Sequence, residues 1–376
     1  MMKVLLWIAR MLFGLVFIFS GFVKAIDPLG STYKFQDYFL SFGLEWLFPF
    51  ALVLAIILST LEFMIGLNTL LGIKMKVTAW GGLLFMLFFT PLTLYVALYD
   101  PVPDCGCFGD ALVISNWQTF YKNIVFLAAA ILIFIYRKKI KPLWSERKDW
   151  YLSGVVALIG VLISVYCLRN LPLIDFRPWK VGNNMIELMT PEPEEANIYL
   201  TFENQQTGET KEYPATDYPW DDEEWSKVWK FKNQRSEVIK AYVPAPIDGF
   251  AIHDEYGDDF SEIYIGNPDY QFLLIVYDLE RANTKAFAKR INPIAAAAEA
   301  EGHSFIALTG TPYDYIDPFR HEHQTPFRFY NADGTMLKTI IRSNPGLVLM
   351  KDGIVLGKWA HRNIPDYETI KKEYME

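Results

Sequence analysis

Asp104-Cys105-Gly106-Cys107-Phe108-Gly109-Asp110 separates two strongly apolar stretches, Val77–Tyr99 and Phe120–Tyr136. Each is about as long as a helix that crosses a bilayer, which takes ~20 residues. A short polar loop between two such stretches places its chemistry at a membrane surface. Three more runs of the same kind lie in the first half of the chain, Val4–Val23, Phe48–Leu71 and Tyr151–Leu168. Core helices of soluble proteins rarely run this long without a polar face. The sequence therefore predicts an α-helical membrane bundle of five spans. The first run carries Arg10 and no small-x-small cleavage site precedes Asp27, so it reads as a span and not as a cleaved signal.

Charge orients the bundle. Lys74 and Lys76 follow the second run, and Arg137, Lys138, Lys139, Lys141, Arg147 and Lys148 follow the fourth. The cysteine loop has no Lys or Arg and holds Asp100, Asp104 and Asp110. Basic loops stay in the cytoplasm, so the reading puts the N-terminus inside and the cysteine loop, with everything after Leu168, outside. In an inner (cytoplasmic) membrane that outer face is the periplasm, where disulfides persist. The chain carries a formal net charge of −8, concentrated in its second half, which argues against nucleic acid as a partner.

Cys105 and Cys107 are two of only three cysteines in 376 residues, and they are the candidate catalytic pair. Gly106 lets the backbone turn tightly enough to bring the sulfurs together. A disulfide closed over one intervening residue would be strained and easily reduced, which suits exchange better than stapling. Cys167, at the outward end of the fifth run, is the third candidate; the alternative is a small buried apolar residue. Asp104 and Asp110 should disfavour a thiolate, so a reactive cysteine here needs a compensating donor. Arg10 and Glu62 lie inside predicted spans, within about a turn or two of each other in depth counted from the cytoplasmic ends, and read as an intramembrane ion pair between the first and second spans. A proton-relay or quinone-polarising role is the alternative for them, and a quinone is the only cofactor the residues bring into consideration. Tyr33, Phe35, Tyr38, Phe39 and Phe42 suggest an interfacial helix after the first span.

The stretch Ala9-Arg10-Met11-Leu12-Phe13-Gly14 through Ser20-Gly21-Phe22-Val23-Lys24 resembles the opening of DoxX-type membrane proteins, and Glu62 with Gly66 and Gly72 resembles their second helix. The Cys-Gly-Cys-Phe-Gly loop resembles the MauE branch, whose members are linked to disulfide formation. The resemblance covers about residues 4–140 and implies a four-helix bundle. It divides the chain into a DoxX/MauE-like bundle at 1–140 and a basic loop, fifth span and linker at 141–175.

From Tyr270 onward strands and helices alternate. Phe272–Tyr277 and Ser304–Leu308 read as strands around an alanine-rich helix, Thr284–Ala300. Leu347–Met350 and Ile354–Trp359 read as a hairpin turned at Asp352-Gly353. Pro345-Gly346-Leu347-Val348-Leu349-Met350-Lys351-Asp352-Gly353 resembles thioredoxin, where a cis-proline precedes such a strand; Pro345 would be that proline. The resemblance implies an α/β thioredoxin-like domain at 248–376. The family's Cys-x-x-Cys is missing, for Arg281 and Thr284 stand in its place and no cysteine follows Cys167. That domain cannot itself exchange thiols, because a thiolate is the required nucleophile.

Residues 176–247 read as a β-rich or irregular insertion, with Ala196–Phe202 and Thr210–Tyr213 as a hairpin around Gly208 and Asp221–Glu224 as a solvated helix start. His321-Glu322-His323 lacks further evident ligands, so no metal site is assigned. Three functions fit these features. One is a thiol-disulfide redox component acting through Cys105/Cys107. The second is a non-enzymatic envelope scaffold or assembly factor whose degenerate domain binds a protein partner in the periplasm. The third, a transporter, is disfavoured by the scarcity of polar groups inside the spans.

Overall fold

The computed structural model describes residues 2–141 and 146–376; the centre of the basic loop, 142–145, and the side chains of Glu146 and Arg147 lie outside them. Six helices build the first half: α1 (Met2–Ile26), α2 (Pro28–Ser41), α3 (Ala51–Leu71), α4 (Met75–Tyr99), α5 (Asn116–Tyr136) and α6 (Glu146–Arg169). Among the described residues, five segments are long and apolar enough to cross a membrane: Met2–Ile26, Glu45–Leu71, Met75–Tyr99, Asn116–Tyr136 and Lys148–Arg169. Their outer surface is studded with exposed apolar side chains such as Leu15, Ile57, Leu84 and Ile135. In water these would be a liability; against hydrocarbon they cost nothing. Asp27 caps the start of α2, accepting a hydrogen bond from the Gly30 amide at 2.9 Å. A reciprocal Ser115–Gln118 capping box starts α5.

α1 and α3 pack antiparallel and unusually close. A Cβ on Gly21 would overlap the backbone of Phe63 and Ser59, and one on Gly66 the backbone of Phe17, Ile18 and Gly14. Apolar side chains gain little from one another in lipid, so small residues that let backbones approach supply the packing. This contact fixes the stagger of the two helices, and with it which polar groups meet inside the bundle.

Two sheets follow. The first is antiparallel, in the order β2-β1-β3, from β1 (Glu195–Asn204), β2 (Thr210–Pro214) and β3 (Trp229–Lys240). The hairpin read from the sequence is its β1/β2 pair. β3 lacks a clear alternation of apolar residues and is nearly all exposed, so nothing in its pattern announced it. Asp222 caps the short helix Glu223–Val228 beside it. The second sheet comprises β4 (Gln271–Ile275), β5 (Ser304–Thr309), β6 (Arg328–Asn331), β7 (Gly346–Lys351) and β8 (Ile354–Ala360), ordered β6-β5-β4-β7-β8. β4, β5 and β6 run parallel, and β7 and β8 return antiparallel. β4 is buried at every position and β7 at all but its last, as a strand covered on both faces must be. Phe272, Leu274, Phe287 and Leu349 form one core layer, and Leu273, Ile275, Val348 and Trp179 the other. The Asn344–Pro345 bond is cis. Asn344 faces the loop after β4: its side-chain amide donates to the Asp278 carbonyl at 2.6 Å, and its own carbonyl accepts from the Asn283 amide at 3.0 Å.

The α/β domain is seated on the end of the bundle that carries the cysteine loop. Arg342, 7% exposed, donates from Nε and Nη2 to the Asp27 carboxylate at 2.9–3.0 Å and from Nη2 to Asp110 at 3.2 Å. Its guanidinium also lies over the Tyr33 ring of α2. One cation of the α/β domain thus holds both the first residue after α1 and the last acidic residue of the cysteine loop.

Candidate redox site at the cysteine loop

The site lies where the loop 100–115 folds back onto the end of α1, opposite Glu62 in the middle of α3. Gly106 takes a φ of +67°, which a Cβ would disfavour, and the turn brings the Cys105 and Cys107 sulfurs to 3.5 Å. Both cysteines are free thiols, partly exposed. A disulfide needs ~2.05 Å between sulfurs, so the two thiols are in contact but not bonded.

The floor beneath Cys107 is a buried ionic network. Lys24 Nζ donates to Glu62 Oε2 at 2.9 Å and to Ser20 Oγ at 2.7 Å, and also to the Cys107 carbonyl. Ser20 Oγ lies 2.7 Å from both Glu62 Oε2 and the Cys107 carbonyl. Lys24 and Glu62 are 8% and 5% exposed, so the pair is screened little by water. Ser20 and Lys24 sit four residues apart on one face of α1, and Glu62 faces them from α3.

This corrects the expected Arg10–Glu62 pair. Arg10 instead donates to the carbonyls of Thr69 and Leu70 at 3.0–3.3 Å, in the last turn of α3. Those carbonyls have no partner within the helix and carry the negative end of its dipole. Counting residues from each helix end matched the depth of Arg10 and Glu62. The close glycine contact staggers the helices, however, so the first turns of α1 run past the end of α3. Glu62 is thereby left opposite Lys24, which lies fourteen residues from Arg10 along α1, or ~21 Å of helix rise.

The expected penalty from Asp104 and Asp110 is also removed. Asp104 pairs with Lys34 at 2.6 Å and accepts the Gly106 amide at 2.8 Å, while Asp110 is held by Arg342. The Cys105 thiol, as hydrogen-bond partner, holds the Cys107 thiol down to about 6; burial opposes this, and the Lys122 and Lys24 charges add to the lowering. Cys105 is pushed up in turn, first by the same hydrogen bond and then by burial. Tyr38 of α2 reaches the Cys105 carbonyl at 3.5 Å. Within the hydrogen-bonded pair Cys107 is thus the more acidic sulfur and Cys105 the less acidic one.

Cys167 is buried on α6, which packs against α1 and α3, and lines neither cavity beside the loop. Among the described residues no contact joins it to the pair. Arg281 is exposed beside Asp278 in the loop facing Pro345, with no thiol near it. His321 and His323 end the helix Ile316–His323, and among the described residues no three His, Cys, Asp or Glu side chains gather as a metal site would require. Lys24, Ser20, Lys122, Lys34 and Arg342 went unassigned in the sequence. The only signal for the first two was the Ser20/Lys24 spacing in the stretch similar to DoxX-type proteins.

Five apolar spans, a cysteine loop at one end and an α/β domain over it define a multi-pass membrane protein with a soluble domain. Residues 2–136, from α1 to α5, match the family model of the methylamine utilisation protein MauE and form a MauE-family membrane domain; the match does not reach α6. No curated protein and no solved structure matches the chain.

Proposed function

We propose that the protein is a thiol-disulfide redox component of the cell envelope, with Cys107 as the attacking thiolate and Cys105 as its resolving partner. The observation that carries this reading is the 3.5 Å approach of two free sulfurs of unequal acidity on a loop anchored to a buried ion pair. The MauE match supports it, since the loop belongs to the matched segment. In a Cys105→Ser variant, Cys107 should trap a mixed disulfide with its exchange partner, visible as a reducible high-mass band on a non-reducing gel. Cys107→Ser should trap far less. Full complementation by both variants, with no adduct in either, would leave the scaffold reading in its place.

We further read residues 248–376 as a thioredoxin-like domain. The strand order β6-β5-β4-β7-β8 and the cis Pro345 opposite the 278–283 loop support this. Lacking cysteines, it acts as a docking platform that positions a partner over the loop. Positive-inside charge places the N-terminus in the cytoplasm and the cysteine loop and α/β domain in the periplasm. A reporter enzyme active only in the periplasm should work when fused after Glu376 and be silent when fused at Lys141. Reversed activities would overturn the orientation.

A further inference from the structure

A second feature adjoins the cysteines. A chamber of about 290 Å³ lies inside the bundle between α1, α2, α3, α4 and α5, with Cys105 and Cys107 in its wall. It sits at the lower edge of the ~300–1,000 Å³ typical of small-molecule sites, enough for one substituted ring. Phe35, Phe39, Phe85 and Phe89 line its body. Its polar groups gather at the cysteine end, where Lys24 is committed to Glu62 and Lys122 is not committed to any carboxylate among the described residues. Lys122 Nζ instead lies 4.2 Å from the centroid of the Phe108 ring. Two further lining residues, Phe42 and Phe88, are 40% and 64% exposed on the flank of the bundle. The way in is therefore through the surface that faces hydrocarbon, and a ligand using it must be soluble in lipid.

Resting on the redox reading above, we infer that this chamber binds a lipid-soluble quinone, which accepts the electron pair released when Cys105 and Cys107 form their disulfide. A flat ring suits the aromatic walls. A carbonyl oxygen that becomes an oxyanion on reduction suits the uncommitted Lys122 ammonium, which would stabilise that charge in a dry site. The Cys107 thiolate adds to a ring carbon. The Cys105 sulfur then attacks the Cys107 sulfur, the S–S bond forms, the S–C bond breaks, and its electron pair stays on the ring. Of the two protons the hydroquinone needs, one comes from the Cys105 thiol and the other from Lys122, which is reprotonated from water. The balance is one thiolate, one thiol, one quinone and one proton giving one disulfide and one hydroquinone.

The test uses the full-length protein, reduced and reconstituted in nanodiscs, with decylubiquinone as the probe and diamide as an oxidant that needs no chamber. Loss of free thiol at the pair is followed by quenched alkylation, and quinone reduction by its ultraviolet absorbance. Decylubiquinone should oxidise the pair with one quinone reduced per disulfide. Leu92 of α4 also lines the chamber, and Leu92→Trp, which fills it, should slow that reaction at least tenfold and leave oxidation by diamide unchanged. Oxidation by diamide with none by decylubiquinone overturns the quinone inference and leaves the redox reading standing. Oxidation by neither reagent overturns both. An undiminished quinone rate in Leu92→Trp shows that the chamber is not the route and overturns the inference too.

Discussion

Replacing Lys24 with methionine should destabilise the bundle by about 3–5 kcal/mol, the usual loss when one partner of a buried ion pair is removed and the other stays charged. Glu62 would keep only Ser20 as a side-chain donor in a site 5% exposed. The effect should reach the cysteine loop, because Lys24 also donates to the Cys107 carbonyl. Intrinsic tryptophan fluorescence of the solubilised protein should report a lower melting temperature. Adding Glu62→Gln to Lys24→Met should restore part of the loss, since it removes the stranded charge. Arg10→Met should behave differently, costing the smaller amount expected of hydrogen bonds to helix-end carbonyls, about 1.5–3 kcal/mol, and sparing the loop. Equal effects of Lys24→Met and Arg10→Met, or wild-type stability in Lys24→Met, would contradict the assignment of the pair.

The second large effect is on the reactivity of Cys107. With its thiol held at about 6, the thiolate dominates at neutral pH. Its alkylation rate should therefore be half-maximal near pH 6 and flat above pH 7. An ordinary thiol, near 8.5, would gain more than tenfold between pH 7 and 9. The largest cause of the lowering is the hydrogen bond with Cys105, so Cys105→Ala should move the half-point upward toward the ordinary range. The same depression ties stability to pH. A group whose folded value lies below its unfolded value contributes fully above the unfolded value and loses that contribution as pH falls to the folded one. For Cys107 the loss runs from about pH 9 down to about 6. An alkylation half-point that stays near 6 in Cys105→Ala would show that the lysines, not Cys105, set the acidity.

What could be read from the residues alone follows from which interactions are local. The five spans were legible because hydrocarbon demands long uninterrupted apolar runs, and the structure's spans agree with those runs to within a few residues at most ends. The α/β strands β4, β5, β7 and β8 were legible because buried strands read as short apolar runs, with Asp352-Gly353 marking the hairpin. The cysteine loop stood out because Cys-Gly-Cys is rare chemistry in a short segment. Its neighbours did not stand out. Lys24 looked like a residue flanking the membrane, and only the stagger imposed by Gly21 and Gly66 brings it to Glu62. Arg342 is an ordinary charged residue until Asp27 and Asp110, some 315 and 232 positions away, are placed beside it. Lys122 gains its meaning from a chamber that five helices make together. β3 was missed because its exposed faces carry no period-2 signal.

The central claim is that Cys105 and Cys107 cycle between thiol and disulfide. The direct measurement is their state in growing cells, trapped by acid quench and then alkylated under denaturing conditions with a mass-tagging maleimide. The account predicts two populations, one carrying three tags and one carrying a single tag at Cys167, with the second converted to the first by prior reduction. Oxidant should shift the balance toward one tag and reductant toward three. A chain that always carries three tags, whatever the oxidant, would contradict the account.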